Sequence, residues 1–78
     1  MNDRQPMELS AIADGLASVV ALRRRADQVE AQQVEAAMRA GWTWAQVAEA
    51  LGVTRQAVHV KHAKRLIEAG VDLRRRNV

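Results

Sequence analysis

Arg55, Gln56, His59, Lys61, Lys64 and Arg65 bring hydrogen-bond donors and positive charge together within eleven residues. Between Arg55 and Arg65 there are four cationic side chains and no carboxylate. An arginine can donate two parallel hydrogen bonds to guanine and a glutamine can pair with adenine, while lysines neutralise phosphates without reading a base. That inventory suits a polyanion with base edges. His59 and His62 offer a metal alternative at i, i+3, but no cysteine or acidic ligand stands beside them in sequence, so no metal is expected. No Gly-rich phosphate loop and no Ser-His-Asp spacing is found, and so small a chain can scarcely enclose a reaction cavity. Neither enzyme chemistry nor a cofactor is expected.

The side chains that would read DNA need a rigid mount, and residues 42–66 supply its signals. Thr43 can cap a helix through its hydroxyl, and Gln46 three residues later completes a capping box. Val47, Ala48 and Leu51 then share one stripe of a 3.6-residue helix. Gly52 can end that helix in a left-handed conformation. Thr54 caps the next one. There Ala57, Val58 and the stem of Lys61 are expected to face inward, with Arg55, Gln56 and His59 pointing away.

This segment resembles the helix-turn-helix of bacterial transcription regulators. Small Ala48 lets two helices approach, Gly52 makes the corner, and Val58 closes the core between them. Residues 51–58, LGVTRQAV, are similar to the corresponding part of sigma-factor region 4 and of small plasmid or actinobacterial repressors. The resemblance implies base-reading roles for Thr54, Arg55, Gln56, His59 and Val60. It places phosphate contacts near Thr43, Trp44 and Lys61, and the charges of Lys64 and Arg65 extend that backbone-holding set. Lys61 departs from the pattern, since many members place an apolar core residue there. The likeness covers about a third of the chain and leaves its first thirty residues unexplained.

Those residues have a pattern of their own. Leu9, Ile12, Leu16 and Val19 alternate by three and four, with Ala13 and Val20 widening a stripe about 15 Å long at 1.5 Å per residue. Gly15 weakens a helix here but permits close helix contact. Arg23, Arg24 and Arg25 interrupt the stripe as a solvated collar, a phosphate contact or a contact to a second chain. Ala26, Val29, Gln33, Val34, Ala37 and Met38 form a second apolar path. Residues 8–40 thus read as one bent helix or two; no proline or turn cluster marks a boundary that would choose between them, and one long helix is favoured. Trp42 is expected near Met38 and Val47. Trp44 is expected to be either a lid over the helical unit or a phosphate contact through its indole N–H. Leu66 and Ile67 should pack back on the core, with Val71 and Leu73 adding contacts beyond Gly70.

The expected fold is all-α: a small helix-turn-helix domain with an extended N-terminal helix. Its divisions are a flexible start (1–7), a helical dimerisation extension (8–30), the DNA-binding unit (31–70) and a basic tail (71–78). At 78 residues the chain has room for one thin core, with only two aromatic residues and no cysteine. No apolar run suits a signal peptide or a membrane span. Residues 1–40 carry five basic and six acidic side chains, whereas residues 41–78 carry seven and three. The expected function is therefore a sequence-selective, double-stranded DNA-binding transcriptional regulator, cytoplasmic and nucleoid-associated. The expected form is a homodimer through Leu9, Ile12, Leu16 and Val19, with recognition helices about 34 Å apart. Folding of the first helix back over Trp44, Leu66 and Ile67 in a monomer is the competing arrangement. The competing functions are an adaptor for RNA polymerase or another regulatory protein, and a weakly selective nucleoid coat to which Arg74, Arg75 and Arg76 would contribute.

Overall fold

The computed structural model describes residues 5–73 and contains three helices: α1 (Gln5–Arg39), α2 (Trp44–Leu51) and α3 (Arg55–Glu68). Among the described residues there is no strand. The first division at 1–7 is thereby described only from Gln5 onward, and the terminal arginines Arg74, Arg75 and Arg76 lie outside the described residues.

α1 is a single unbroken helix of 35 residues. Its three consecutive arginines are good helix formers and do not interrupt it. It ends where Gly41, at φ 94°, donates to the Met38 carbonyl and the Trp42 amide reaches back to Ala37 at 3.0 Å. This pair of bonds satisfies carbonyls that a helix end would otherwise leave unpaired. The chain then turns into Thr43. Its hydroxyl accepts from the Gln46 amide at 3.1 Å, while the Gln46 side chain accepts from the Thr43 amide at 2.9 Å. The capping box expected from the sequence is complete.

Gly52 closes α2 at φ 71°, a backbone region in which a Cβ is strained. The Val53 amide returns to the Ala48 carbonyl at 3.0 Å, and Thr54 caps α3 by accepting from the Ala57 amide at 3.0 Å. α2 and α3 are therefore joined by a turn whose hydrogen bonds are all local. The architecture is that of a small helix-turn-helix-like domain.

The core lies at one end of the molecule. Val34 and Met38 from α1 meet Trp44, Val47 and Ala48 from α2, then Val58, Ala63 and Leu66 from α3, with Val71 closing the base. Leu73 packs against its edge. The two tryptophans divide sharply: Trp44 is 5 % exposed and Trp42 43 %. Trp44 opens α2 and so shares a face with Val47 and Ala48, at i+3 and i+4. Trp42 stays in the loop and lines, with Val34, Ala37, Val47 and Leu51, a shallow apolar groove between α1 and α2. Ile67, expected to pack beside Leu66, is instead exposed, since adjacent helical residues point about 100° apart and Leu66 takes the inward direction. For the same reason Ala57 is exposed beside buried Val58.

α1 projects away from this core. Residues 8–29 are exposed throughout, so the helix does not fold back over Trp44 or Leu66. The molecule measures 65 × 22 × 17 Å, with a radius of gyration of 18.7 Å. A compact chain of this length would have a radius of about 11–12 Å. The long helix accounts for the difference.

Candidate nucleic-acid interface

The residues expected to read bases lie at the cap of α3 and along it, immediately after the turn. Thr54 spends one acceptor position of its hydroxyl on the cap, which leaves the hydroxyl proton to donate elsewhere. Arg55, Gln56, His59 and Val60 are all exposed, Val60 by 72 %. Gln56, Val60 and Lys64 follow one another at i, i+4 and i+8 along the outer face, and exposed Ile67 continues that line. His59 lies at its edge. Its ring meets Trp44 edge-on, centroids 5.1 Å apart and planes at 71°. Trp44 is thus buried against the core with its ring edge to His59, in line with the lid expectation for this position. Sequence spacing gave no sign of that pairing, because fourteen residues, including a turn, lie between the two.

The four cations of α3 divide into two kinds. Arg55 and Lys64 are exposed on the outer side. Lys61 and Arg65 turn towards α1. Lys61 Nζ lies 3.0 Å from Glu30 and 3.5 Å from Asp27. Arg65 donates to the Ala31 carbonyl at 3.3 Å and to His62 Nδ1 at 2.8 Å. His62, 1 % exposed, places Nε2 at 2.6 Å from the same Glu30 carboxylate. A guanidinium can only donate, so Nδ1 accepts, and Nε2 carries the proton and donates to Glu30. This assigns the tautomer from the hydrogen-bond network. Glu30 is therefore a hub that ties α3 to α1 through His62 and Lys61. A second tie lies at the base, where Arg39 bonds Glu35 at 3.0 Å and the Ala69 carbonyl at 3.3 Å.

This inward commitment explains how a lysine occupies a position where many helix-turn-helix proteins keep an apolar residue. Half-exposed Lys61 contributes charge pairing at the rim of the α1–α3 contact, while His62 fills the interior next to it. The two histidines serve different surroundings, His62 facing Glu30 inside and His59 facing Trp44 outside. Among the described residues no group of three or more His, Cys, Asp or Glu side chains could hold a metal ion. Of the remaining phosphate candidates, Thr43 is half-buried and engaged in its cap, Trp44 lies in the core, and Lys64 is exposed. No helix among the described residues is long and apolar enough to cross a membrane.

The Lys61 hydrogen bond, joined by that of His62, holds the Glu30 carboxyl below its ordinary range, against the opposing effect of partial burial. Glu30 in turn raises the Lys61 ammonium. A depressed carboxyl contributes stability above its unfolded value and loses it as pH falls through the folded value. The α1–α3 junction should accordingly weaken on acidification through and below the ordinary glutamate range. The check is denaturant unfolding across that range: Glu30→Gln should flatten the acid limb, and an unchanged limb would remove Glu30 from this role. No family model, curated protein or solved structure matches the chain.

Proposed function

We propose that this protein is a sequence-selective, double-stranded DNA-binding transcriptional regulator that acts on the nucleoid as a homodimer, with α3 entering the major groove. The observation that carries the reading is the outward presentation of Arg55, Gln56 and His59 just beyond a capped turn. α3 is held by its core residues and by Glu30, so the outer side chains project from a fixed base. Arg55 and Gln56 are the candidates for direct base contact, and Val60 offers an apolar contact to a thymine methyl. The amide end of α3 adds favourable interaction with a nearby phosphate. The division among the cations supports different work for each. Lys64 is available to the backbone, while Lys61 and Arg65 chiefly hold the reading helix in place.

Arg55→Ala should cost about 1–3 kcal/mol on the preferred site if the side chain makes a paired guanine contact. Duplexes selected from a random pool provide that site. Titration against selected and scrambled duplexes decides the role, since equal losses on both exclude specificity through Arg55. A salt series on the same duplexes separates the lysines. Lys64→Ala should reduce the slope of log affinity against log salt by about one, the effect of removing one phosphate contact. Lys61→Ala should change it less, because Glu30 and Asp27 already neutralise that charge. A larger change for Lys61→Ala than for Lys64→Ala would reverse the assignment.

A further inference from the structure

The apolar stripe of α1 and the surface on which the α2–α3 body sits are one continuous face. At 100° per residue, Leu9, Ile12, Leu16, Val19 and Val20 point within the same arc of about 100° as Glu30, Val34 and Met38. The last three are covered: Val34 and Met38 by the core, Glu30 by His62 and Lys61. The first five are 40–64 % exposed. The face that ends under α3 therefore continues bare towards the N-terminus.

We infer that a second copy of this chain covers the bare part in antiparallel orientation, Leu9 of one copy packing on Val19 of the other and Ile12 on Leu16. This deepens the homodimer reading and rests on it. The spacing supports the pairing, since Leu9 and Leu16 occupy one heptad position and Ile12 and Val19 the other, and antiparallel helices set one kind against the other. Covering the five exposed side chains removes roughly 500 Å2 per chain and on the order of 1,000 Å2 in all, the lower bound of specific interfaces.

Orientation follows from what already occupies the face. A parallel partner in register would run along α1 at about 8–10 Å and reach the space filled by α3. Each copy carries its own body on that side, so both bodies would have to fit between the two helices. A coiled-coil crossing near 20° opens the gap by only about 10 Å over the next 25 Å, too little for two packed helical layers. The same arrangement would set Arg23 against Arg23. The antiparallel pair avoids both conflicts. Its two-fold axis passes near Asp14, so Gln5 of one copy reaches the level of Arg23 of the other. That stops short of Asp27, where the reach of Lys61 begins. Gly15, with open space around it, lies near the level of the axis, beside the stripe and outside its arc. The two bodies then stand at opposite ends of the paired segment.

The chain has no cysteine, so single cysteines report orientation without interference. Leu9→Cys and Val19→Cys are both at exposed positions with no core role. In the antiparallel pair, equivalent positions lie about 15 Å apart along the axis, too far for a disulfide. Under mild oxidation without DNA, an equimolar mixture should give at least tenfold more cross-linked dimer than either variant alone, all of it mixed. Cross-linking of Leu9→Cys to itself and of Val19→Cys to itself would establish the parallel pair and overturn the orientation while leaving a homodimer. No cross-link in any combination, with a monomer mass by light scattering, would overturn the inference together with the homodimer. Since DNA takes no part, none of these outcomes bears on the reading of α3 as a DNA-binding helix.

Discussion

His62→Ala is expected to destabilise the protein by about 2–4 kcal/mol, a large fraction of what a domain this small can have. The imidazole is 1 % exposed, and both ring nitrogens are engaged, one with Glu30 at 2.6 Å and the other with Arg65 at 2.8 Å. Truncation leaves a cavity and removes the buried partner of both Glu30 and Arg65, which costs more than the hydrogen bonds contribute when formed. Lys61→Ala removes a nearby ion pair from the same carboxylate, yet it should cost less than about 1 kcal/mol because that pair is solvated. Urea unfolding of the two variants provides the comparison, with the slope of the transition checked for constancy. Equal small losses would mean that the buried network contributes no more than the exposed pair, and the assignment of Glu30 and His62 as the α1–α3 junction would fail.

The combined substitution Ile12→Asp with Leu16→Asp should convert a dimer into a monomer while leaving the α2–α3 body folded. Both side chains are more than half exposed, and no buried residue of the core lies before Val34 in sequence. The substitutions therefore act on the association surface with little effect on the core. In a two-fold complex the second α3 binds at an effective concentration fixed by the first, so separating the copies should reduce affinity for a two-site duplex by about 10²–10⁴-fold. Affinity for a single half-site should hardly change. Light scattering at several protein concentrations, paired with titration of one-site and two-site duplexes, makes the comparison. If the unmodified protein is monomeric both free and on its preferred duplex, the assembly is wrong even where α3 still binds DNA.

What could be read from the sequence was local. Thr43 with Gln46, Gly52 and Thr54 are interpretable because their hydrogen bonds close within three to five residues. Val34, Met38, Val47, Ala48, Val58 and Leu66 are marked by helical spacing. The long helix was only half legible, since nothing in residues 8–40 marks a break and nothing there requires continuity. The junction was not. Glu30 meets His62 at a separation of 32 positions, and nothing in a run of charges tells which members will be drawn inward by a distant carboxylate. The four cations of α3 look alike in sequence, and only the crossing of α1 separates Lys61 and Arg65 from Arg55 and Lys64. Trp44 and Ile67 teach the same lesson about phase: which of two neighbouring apolar residues turns inward depends on where the helix begins and what it rests against.

The bare reach of α1 has a thermodynamic consequence. Residues 8–29 are exposed throughout, and a lone helix of that length in water is only marginally stable. Its order is secured from one end by the body and, in the proposed homodimer, along its side by the second copy. Helix content thus becomes a function of abundance: dilution should fray the free arm while the head stays folded, and accumulation should rebuild it. A binding response coupled to that transition rises more steeply than the first power of concentration. Cells holding few copies would then have separate heads with limited grip, and the step to bivalent binding would come at a threshold set by the strength of one apolar stripe.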